Sequence, residues 1–517
     1  MRPSIDVEEV LCKAATDIEA FDLEDPLLPD IPVAEKLPEQ LSTKKPHLDG
    51  LRGVAALLVY IGHHVAWWYG PGGPIQHGFG YHGEMMFGTF PFIRILFTGG
   101  SPAVHIFFVL SGYVLSISLL QKLAYQPRRE TYNDLASAVV RRPFRLFIPM
   151  GGVSLVFALV MHLPLGFAPR LAWPKPEPTI WKELWKWFQW CGSMMNPLRK
   201  YGSGMDVPWF PYDPPAWTMP VEYRGSLAVF VTLAVFQLAP AKYRIYLWGA
   251  TGLVMLTLRD WAVACFMAGI VLAILDLAEN GQYALLSRLT KWPRTISYNT
   301  IFVLAWWILC QPGDPNPEYS YATPGWYYMT KMIPPNYYNY ENWRFWNTIG
   351  AVMMVYAVCN LKWLQRFFCL RIIQFLGKIS FSLYLVHTPF VWTIGDIICR
   401  LLGTKAQDFE TGWDDRLKIP DVGPQGISTG FLVAQSLIFP LTVLLSLVVW
   451  KLLDQPSVKV GHIIVTMIGL GKDRENVHRT RSANVDMAQY EYSQILVAAQ
   501  DEVYAVGATS SPLIGSM

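Results

Sequence analysis

The chain has 517 residues, 52% hydrophobic and only 16% charged, with a formal net charge of +3. A soluble globular protein carries about 25% charged residues, so much of this chain is built for a bilayer, and its net charge is too small to imply a nucleic-acid partner. Seven cysteines, an odd number without a Cys-x-x-Cys pair, exclude an obvious zinc site or disulfide framework and read as small apolar fillers.

In chain order, residues 1–46 are acidic ("DVEEV", "DIEAFDLEDPLLPD") and lack the apolar core of a signal peptide. They are expected to form a disordered cytoplasmic tail, which leaves the first membrane helix to act as signal anchor. A span needs about 20 mostly apolar residues. Ten stretches qualify: roughly 50–69, 102–123, 144–164, 217–239, 243–258, 260–277, 295–310, 345–362, 379–401 and 429–453. With the N-terminus inside, the connection between the second and third stretches holds Lys122, Arg128, Arg129, Arg141, Arg142 and Arg145. The eighth–ninth connection, also inside, holds Lys362, Arg366, Arg371 and Lys378. The loop over 70–101 holds only Arg94. This is a positive-inside pattern with both termini cytoplasmic. The expected fold is an all-α integral membrane protein of about ten transmembrane helices in one bundle, residues 47–457, followed by a cytoplasmic tail, 458–517. Two aromatic runs, "WKELWKWFQW" (181–190) and "PPNYYNYENWRFW" (334–346), read as interfacial belts or amphipathic helices at the headgroups; the alternative is a wall that stacks a sugar or polycycle.

The first stretch, "LDGLRGVAALLVYIGHH" (48–64), places Arg52 and His63 eleven residues apart. Eleven steps of about 100° bring both to one helical face, separated by about 16 Å along the axis. Ionisable groups inside a membrane are costly and face cavities or partners. His63 therefore reads either as a functional group halfway through the bilayer or as a hydrogen-bonded packing residue. His64 points about 100° away and is expected to be structural. "VVRRPFRLFIP" (139–149) adds Arg142 and Arg145 three residues apart, either as topological anchors or as bidentate phosphate ligands. Phosphates at an arginine-lined mouth, with a histidine at arm's length, match the shape of coenzyme A with its thioester.

Five further stretches occur in order: "FFVLSGYVLS" (107–116), "RRPFR", "WTMPVEYRGSL" (217–227), "LGKISFSLYLVHTPF" (376–390) and "KLLDQPS" (451–457). Together with the opening helix they resemble the acyltransferase-3 family of integral membrane O-acyltransferases, over about residues 47–457. The acidic tail and aromatic loops resemble fungal members, which acetylate secondary metabolites and surface glycans. The resemblance implies transfer of an acyl group, usually acetyl, from acyl-CoA as co-substrate to a hydroxyl, with no permanently bound cofactor and no metal. By position, Arg52 and His63 match the paired Arg and His of the first helix. Arg142 and Arg145 match an R-x-x-R associated with the acyl donor. Glu222 matches the acid of the Trp-Ser-x-x-x-Glu stretch, and Tyr384 and His387 match a Ser-Tyr-x-Leu-His element. Two positions depart from the pattern: His105 replaces the usual acid before FFVLSG, and Tyr223 replaces a second Glu.

The expected catalytic set is thus His63, Glu222 and His387, with Arg52, Arg142 and Arg145 on the donor. Neutral His63 would act as general base on an acceptor hydroxyl, with Glu222 or Asp49 orienting an imidazole or an arginine. Ser111 lacks a nucleophile elbow and is expected to serve small-residue helix packing. The expected partners are the acyl-CoA, a hydroxylated small molecule or glycan, and membrane lipid, in an endomembrane or the plasma membrane. A transporter is the rival reading, against which the absence of internal repeats counts; a silent scaffold is a second.

Overall fold

A computed structural model describes residues 45–70, 77–125, 128–165, 176–197, 208–277, 290–313, 318–337, 341–404 and 410–470. The tail expected at 1–46 lies outside the described residues except for its last two, and the C-terminal tail lies outside them beyond 470. Every regular element among the described residues is helical. The main ones are α1 (Pro46–Tyr69), α2 (Gly100–Tyr125), α3 (Arg128–Val160), α4 (Ile180–Met194), α5 (Thr218–Phe236), α6 (Ala241–Thr257), α7 (Trp261–Leu277), α8 (Lys291–Leu309), α9 (Trp343–Asn360) and α10 (Lys362–Phe368). A continuous helical run, α11 (Arg371–Leu401), and a second, α12 (Thr429–Met467), follow.

Five segments are long and apolar enough to cross a membrane: Gly100–Lys122, Glu130–Val160, Pro214–Phe236, Arg371–Leu401 and Thr429–Met467. The remaining apolar stretches of the sequence coincide with α1, α6, α7, α8 and α9, which are shorter or more polar. On α12, Leu437, Leu441, Leu444, Val448 and Leu452 are all exposed at spacings of three and four. That stripe runs along one helix side, and in water it would forfeit about 25 cal/mol for each Å² of apolar surface. It is a lipid-facing side. The helix continues unbroken through 457 to Met467.

The local sequence accounts for the boundaries. α1 opens with a proline in its first turn, whose missing N–H costs nothing there, and ends at Gly70 with φ 90°. α2 and α7 cross where both carry glycine. A Cβ on Gly112 would lie 2.2 Å from the Phe266 carbonyl oxygen, and one on Gly269 2.3 Å from that of Val109. No other residue permits this approach.

The run 181–190 forms an amphipathic helix, α4, with Trp181, Trp185 and Phe188 exposed. Its opposite side carries the fully buried Glu183. This carboxylate accepts from Tyr212 Oη at 2.5 Å and the Glu177 backbone N–H at 2.7 Å, with His162 Nε2 at 3.3 Å. The aromatic helix is thereby tied to the segment that leads into α5.

Candidate active site

The site is built on the contact between α1 and α11. A Cβ on Gly53 would meet the Gly377 backbone nitrogen at 2.4 Å, and one on Gly377 would meet the Asp49 carbonyl at 2.4 Å. The two backbones touch, so the Arg52 side chain reaches across to α11. Its Nε donates to Ser380 Oγ at 3.0 Å and Nη2 to the Gly377 carbonyl at 3.2 Å, while Asp49 Oδ1 lies 3.3 Å from the same guanidinium. Arg145 and Asp454 complete its charged surroundings.

His63 meets the same helix farther along, as the eleven-residue spacing requires. Its Nδ1 lies 3.0 Å from the Val59 carbonyl. A carbonyl only accepts, so Nδ1 carries the proton and Nε2 presents a lone pair. The His63 ring packs edge-on against that of His387, with centroids 4.9 Å apart and planes at 72°. His387 repeats the arrangement: Nδ1 donates to the Leu383 carbonyl at 3.2 Å, and Nε2 is buried without a partner. That carbonyl is not the one Pro389 releases, which belongs to residue 385. Where a buried His63 is the expectation, the ring is exposed while its neighbour is fully buried. His63 thus faces an accessible recess, and the fully buried His387 lies behind it. Just beyond His387, residues Val391–Gly395 form a π turn, a feature frequent at functional sites.

One turn before His387, Tyr384 Oη donates to the Pro215 carbonyl at 2.8 Å and accepts from Thr218 Oγ1 at 2.9 Å. This pins the start of α5 to α11. Thr218, Glu222 and Ser226 follow at intervals of four, and so share one side of α5. Glu222 is buried and paired with Arg142 of α3, whose Nε also donates to Ser226 Oγ at 2.8 Å. Breaking such a pair costs about 3–5 kcal/mol.

The R-x-x-R therefore divides. Arg142 is committed to Glu222 and Ser226, whereas Arg145 is exposed and makes no hydrogen bond or ion pair with described residues. Glu222 and Asp49 each hold an arginine, not an imidazole. Ser111, expected only to pack, places its hydroxyl within hydrogen-bonding reach of Glu222. Sequence reasoning passed over Ser380, Thr218 and Ser226; the four-residue spacing of the latter two with Glu222 was a usable signal.

The remaining polar residues separate from this group. His64 is buried, stacked on Tyr60 at 3.9 Å, and its Nδ1 takes a hydrogen bond from Gln435 Nε2 at 3.3 Å. His105 donates from Nδ1 to the Ser101 carbonyl at 2.8 Å and lies against Trp261 with ring centroids 4.4 Å apart. Tyr223 packs edge-on against Phe147.

Residues 46–451 match the family described as "Acyltransferase domain". The chain is 31% identical over 386 residues to O-acetyltransferase PaAT-1 of Phomopsis amygdali, covering 68% of this chain and 73% of that protein. It is 23% identical over 406 residues to acyltransferase clz18 of Cochliobolus lunatus, covering 71% and 81%. Acyltransferase R4 of a Phoma species is 24% identical over 346 residues, covering 59% and 71%. No solved structure matches.

Proposed function

The chain belongs to the acyltransferase-domain family, and from that premise we propose that it moves an acetyl group from acetyl-CoA to a hydroxyl of a secondary metabolite or glycan. The single observation that carries the reading is the state of His63: an exposed imidazole whose Nδ1 proton is held by Val59, leaving the Nε2 lone pair free to act. A general base of this kind contributes roughly 100- to 10,000-fold to rate. The name of the relative from Phomopsis amygdali, an O-acetyltransferase, supports acetyl as the group moved.

In this mechanism the acceptor O–H gives its proton to His63 Nε2 as the oxygen bonds to the thioester carbon. The tetrahedral intermediate collapses with cleavage of the C–S bond. The departing thiolate takes the proton from the imidazolium, so that ester and coenzyme A leave and His63 is restored. Arg145, unpaired, and Arg52, partly open, bind donor phosphates, and Arg142 is held in place by Glu222. His387 orients the recess beside the base. The ten-span arrangement with both termini cytoplasmic puts the arginines on the cytoplasmic side, where acetyl-CoA is made, in an endomembrane or the plasma membrane. The charge distribution of the loops supports that orientation.

Two measurements test the reading. Purified protein in nanodiscs should release thiol from acetyl-CoA with a hydroxylated acceptor, and His63→Ala should not. A deletion strain should lack an acetylated metabolite or glycan present in the parent; an unchanged acetyl profile and no thiol release refute the assignment.

A further inference from the structure

Among the described residues there are two π turns. One follows His387. The other, Trp450–Asp454, interrupts α12, and a π turn inside an α-helix is frequent where function requires it. The way this turn faces follows from the exposed aliphatic stripe of the same helix. Leu444, Val448 and Leu452 lie on the lipid-facing side. Trp450, two residues from Val448 and two from Leu452, lies about 200° round from them. Thr442 and Ser446, at intervals of four before Trp450, are fully buried. Trp450 therefore belongs to the inner side of α12, yet its ring is only half-buried. A tryptophan that anchors a helix at the headgroups would point the other way.

Two contacts bring this ring to the arginines. One turn on, Asp454 lies within electrostatic reach of both Arg52 and Arg145. From α11, Lys378 sets its Nζ 4.1 Å from the centroid of the Trp450 ring. The residue before it, Gly377, accepts from Arg52 Nη2 at 3.2 Å. Lys378 is exposed and pairs with no described carboxylate. The mouth thus gathers Arg52, Arg145 and Lys378 around one aromatic face. A cation over a partly exposed ring is held weakly, so the ammonium is free to leave the indole for an anion. Acetyl-CoA carries two kinds of anion at its far end, a diphosphate and a separate phosphate on the ribose, beside a flat adenine.

We propose that Trp450 and Lys378 form the subsite for the nucleoside end of the acyl donor. The adenine stacks on the indole, Lys378 takes the ribose 3′-phosphate, and Arg52 and Arg145 hold the diphosphate. This role rests on the acetyl-CoA reading of the same site. Every base offers a π face to an aromatic side chain, and an ammonium binds a phosphate as a point charge. Arginines suit the diphosphate because their planar fork binds phosphate oxygens in pairs.

The test is calorimetric binding of coenzyme A and 3′-dephospho-coenzyme A to the purified full-length protein in phosphatidylcholine nanodiscs, which needs no acceptor. Wild type should bind the dephospho form about tenfold more weakly, the low end for a charge-assisted contact. Lys378→Ala should bind coenzyme A about tenfold more weakly and the dephospho form as wild type does. Trp450→Leu should weaken both ligands roughly 5- to 150-fold, the worth of one stacked base, and Trp450→Phe should stay within about threefold of wild type. An exposed lysine supports little packing, so Lys378→Ala should melt with wild type and keeps the test valid if Trp450→Leu folds poorly. Wild-type affinity for coenzyme A in Lys378→Ala, or an equal loss for both ligands there, overturns the subsite. An affinity set by added phosphatidylserine and not by the 3′-phosphate assigns the pair to lipid headgroups and overturns it too. A wild type that binds the two ligands equally overturns this inference alone. A wild type that binds neither overturns the acetyl-CoA reading and, with it, this role.

Discussion

His63 and His64 are neighbours on α1, yet they belong to two different regions of the bundle. His63 turns to α11, exposed, with its proton on Nδ1 and its Nε2 lone pair open to the recess. His64 turns to α12, buried, in a relay where Tyr60 Oη donates to Gln435 Oε1 at 2.7 Å and the Gln435 amide donates to His64 Nδ1. The two imidazoles are thus opposite tautomers, and only one has a lone pair that a substrate can reach. Residue type alone decides nothing here. The helical face and the backbone carbonyl four residues back decide which histidine is chemically free.

The strongest way to break this comparison is to remove the free one. His63→Ala should lower kcat by roughly 100- to 10,000-fold, the worth of a positioned general base. An exposed ring contributes little burial, so expression and melting temperature should stay near wild type. Thiol release by the purified variant at the wild-type rate would remove the distinction between the two faces.

The same contrast of committed and free groups recurs at the arginines. Arg142→Ala leaves Glu222 buried without its cation, so a stability loss of about 3–5 kcal/mol is expected in denaturation experiments. Arg145→Ala breaks no ion pair and should leave the melting temperature alone. Its expected effect is on donor affinity, about 1.5–3 kcal/mol or roughly 10- to 150-fold for a lost charge-assisted phosphate contact. Equal melting curves for the two variants, with equal donor constants, would mean that the pair is not divided as the geometry indicates.

What the sequence disclosed follows from what periodicity encodes. Each of the ten apolar stretches coincides with a helix, because long apolar runs are set by the local chain. The alignment of Arg52 with His63 was legible for the same reason: 3.6 residues per turn fixes which side chains share a face. Contacts between helices were not legible. Nothing in "RRPFR" states that Arg142 meets Glu222, 80 residues away, while Arg145 stays open. Nor did the spacing reveal that His63 would be exposed, since that depends on how the other helices pack around α1. Nor is it legible that the Pro215 carbonyl would be held by Tyr384, contributed by a distant helix.

His387 sharpens the comparison from the other side, since it shares the tautomer of His63 but is sealed. Replacement by Gln keeps a donor for Leu383 but cannot titrate. We expect kcat to fall about tenfold, a change of about 1.4 kcal/mol in the barrier. Full activity of a stable Gln variant would assign His387 to packing alone.

The smallest effect on turnover belongs to His64, which, unlike His63, should matter to stability. In His64→Ala the Gln435 amide loses its acceptor and Tyr60 loses the ring stacked on it at 3.9 Å. Leaving a buried donor unsatisfied costs about 1–3 kcal/mol, so the variant should melt at a lower temperature. Once folded, it should turn over within about threefold of wild type, less than one 1.4 kcal/mol step in the barrier, because no lone pair of His64 faces the recess. A His64→Ala protein that is stable but inactive would show instead that the proton path runs through the relay on the far side of α1.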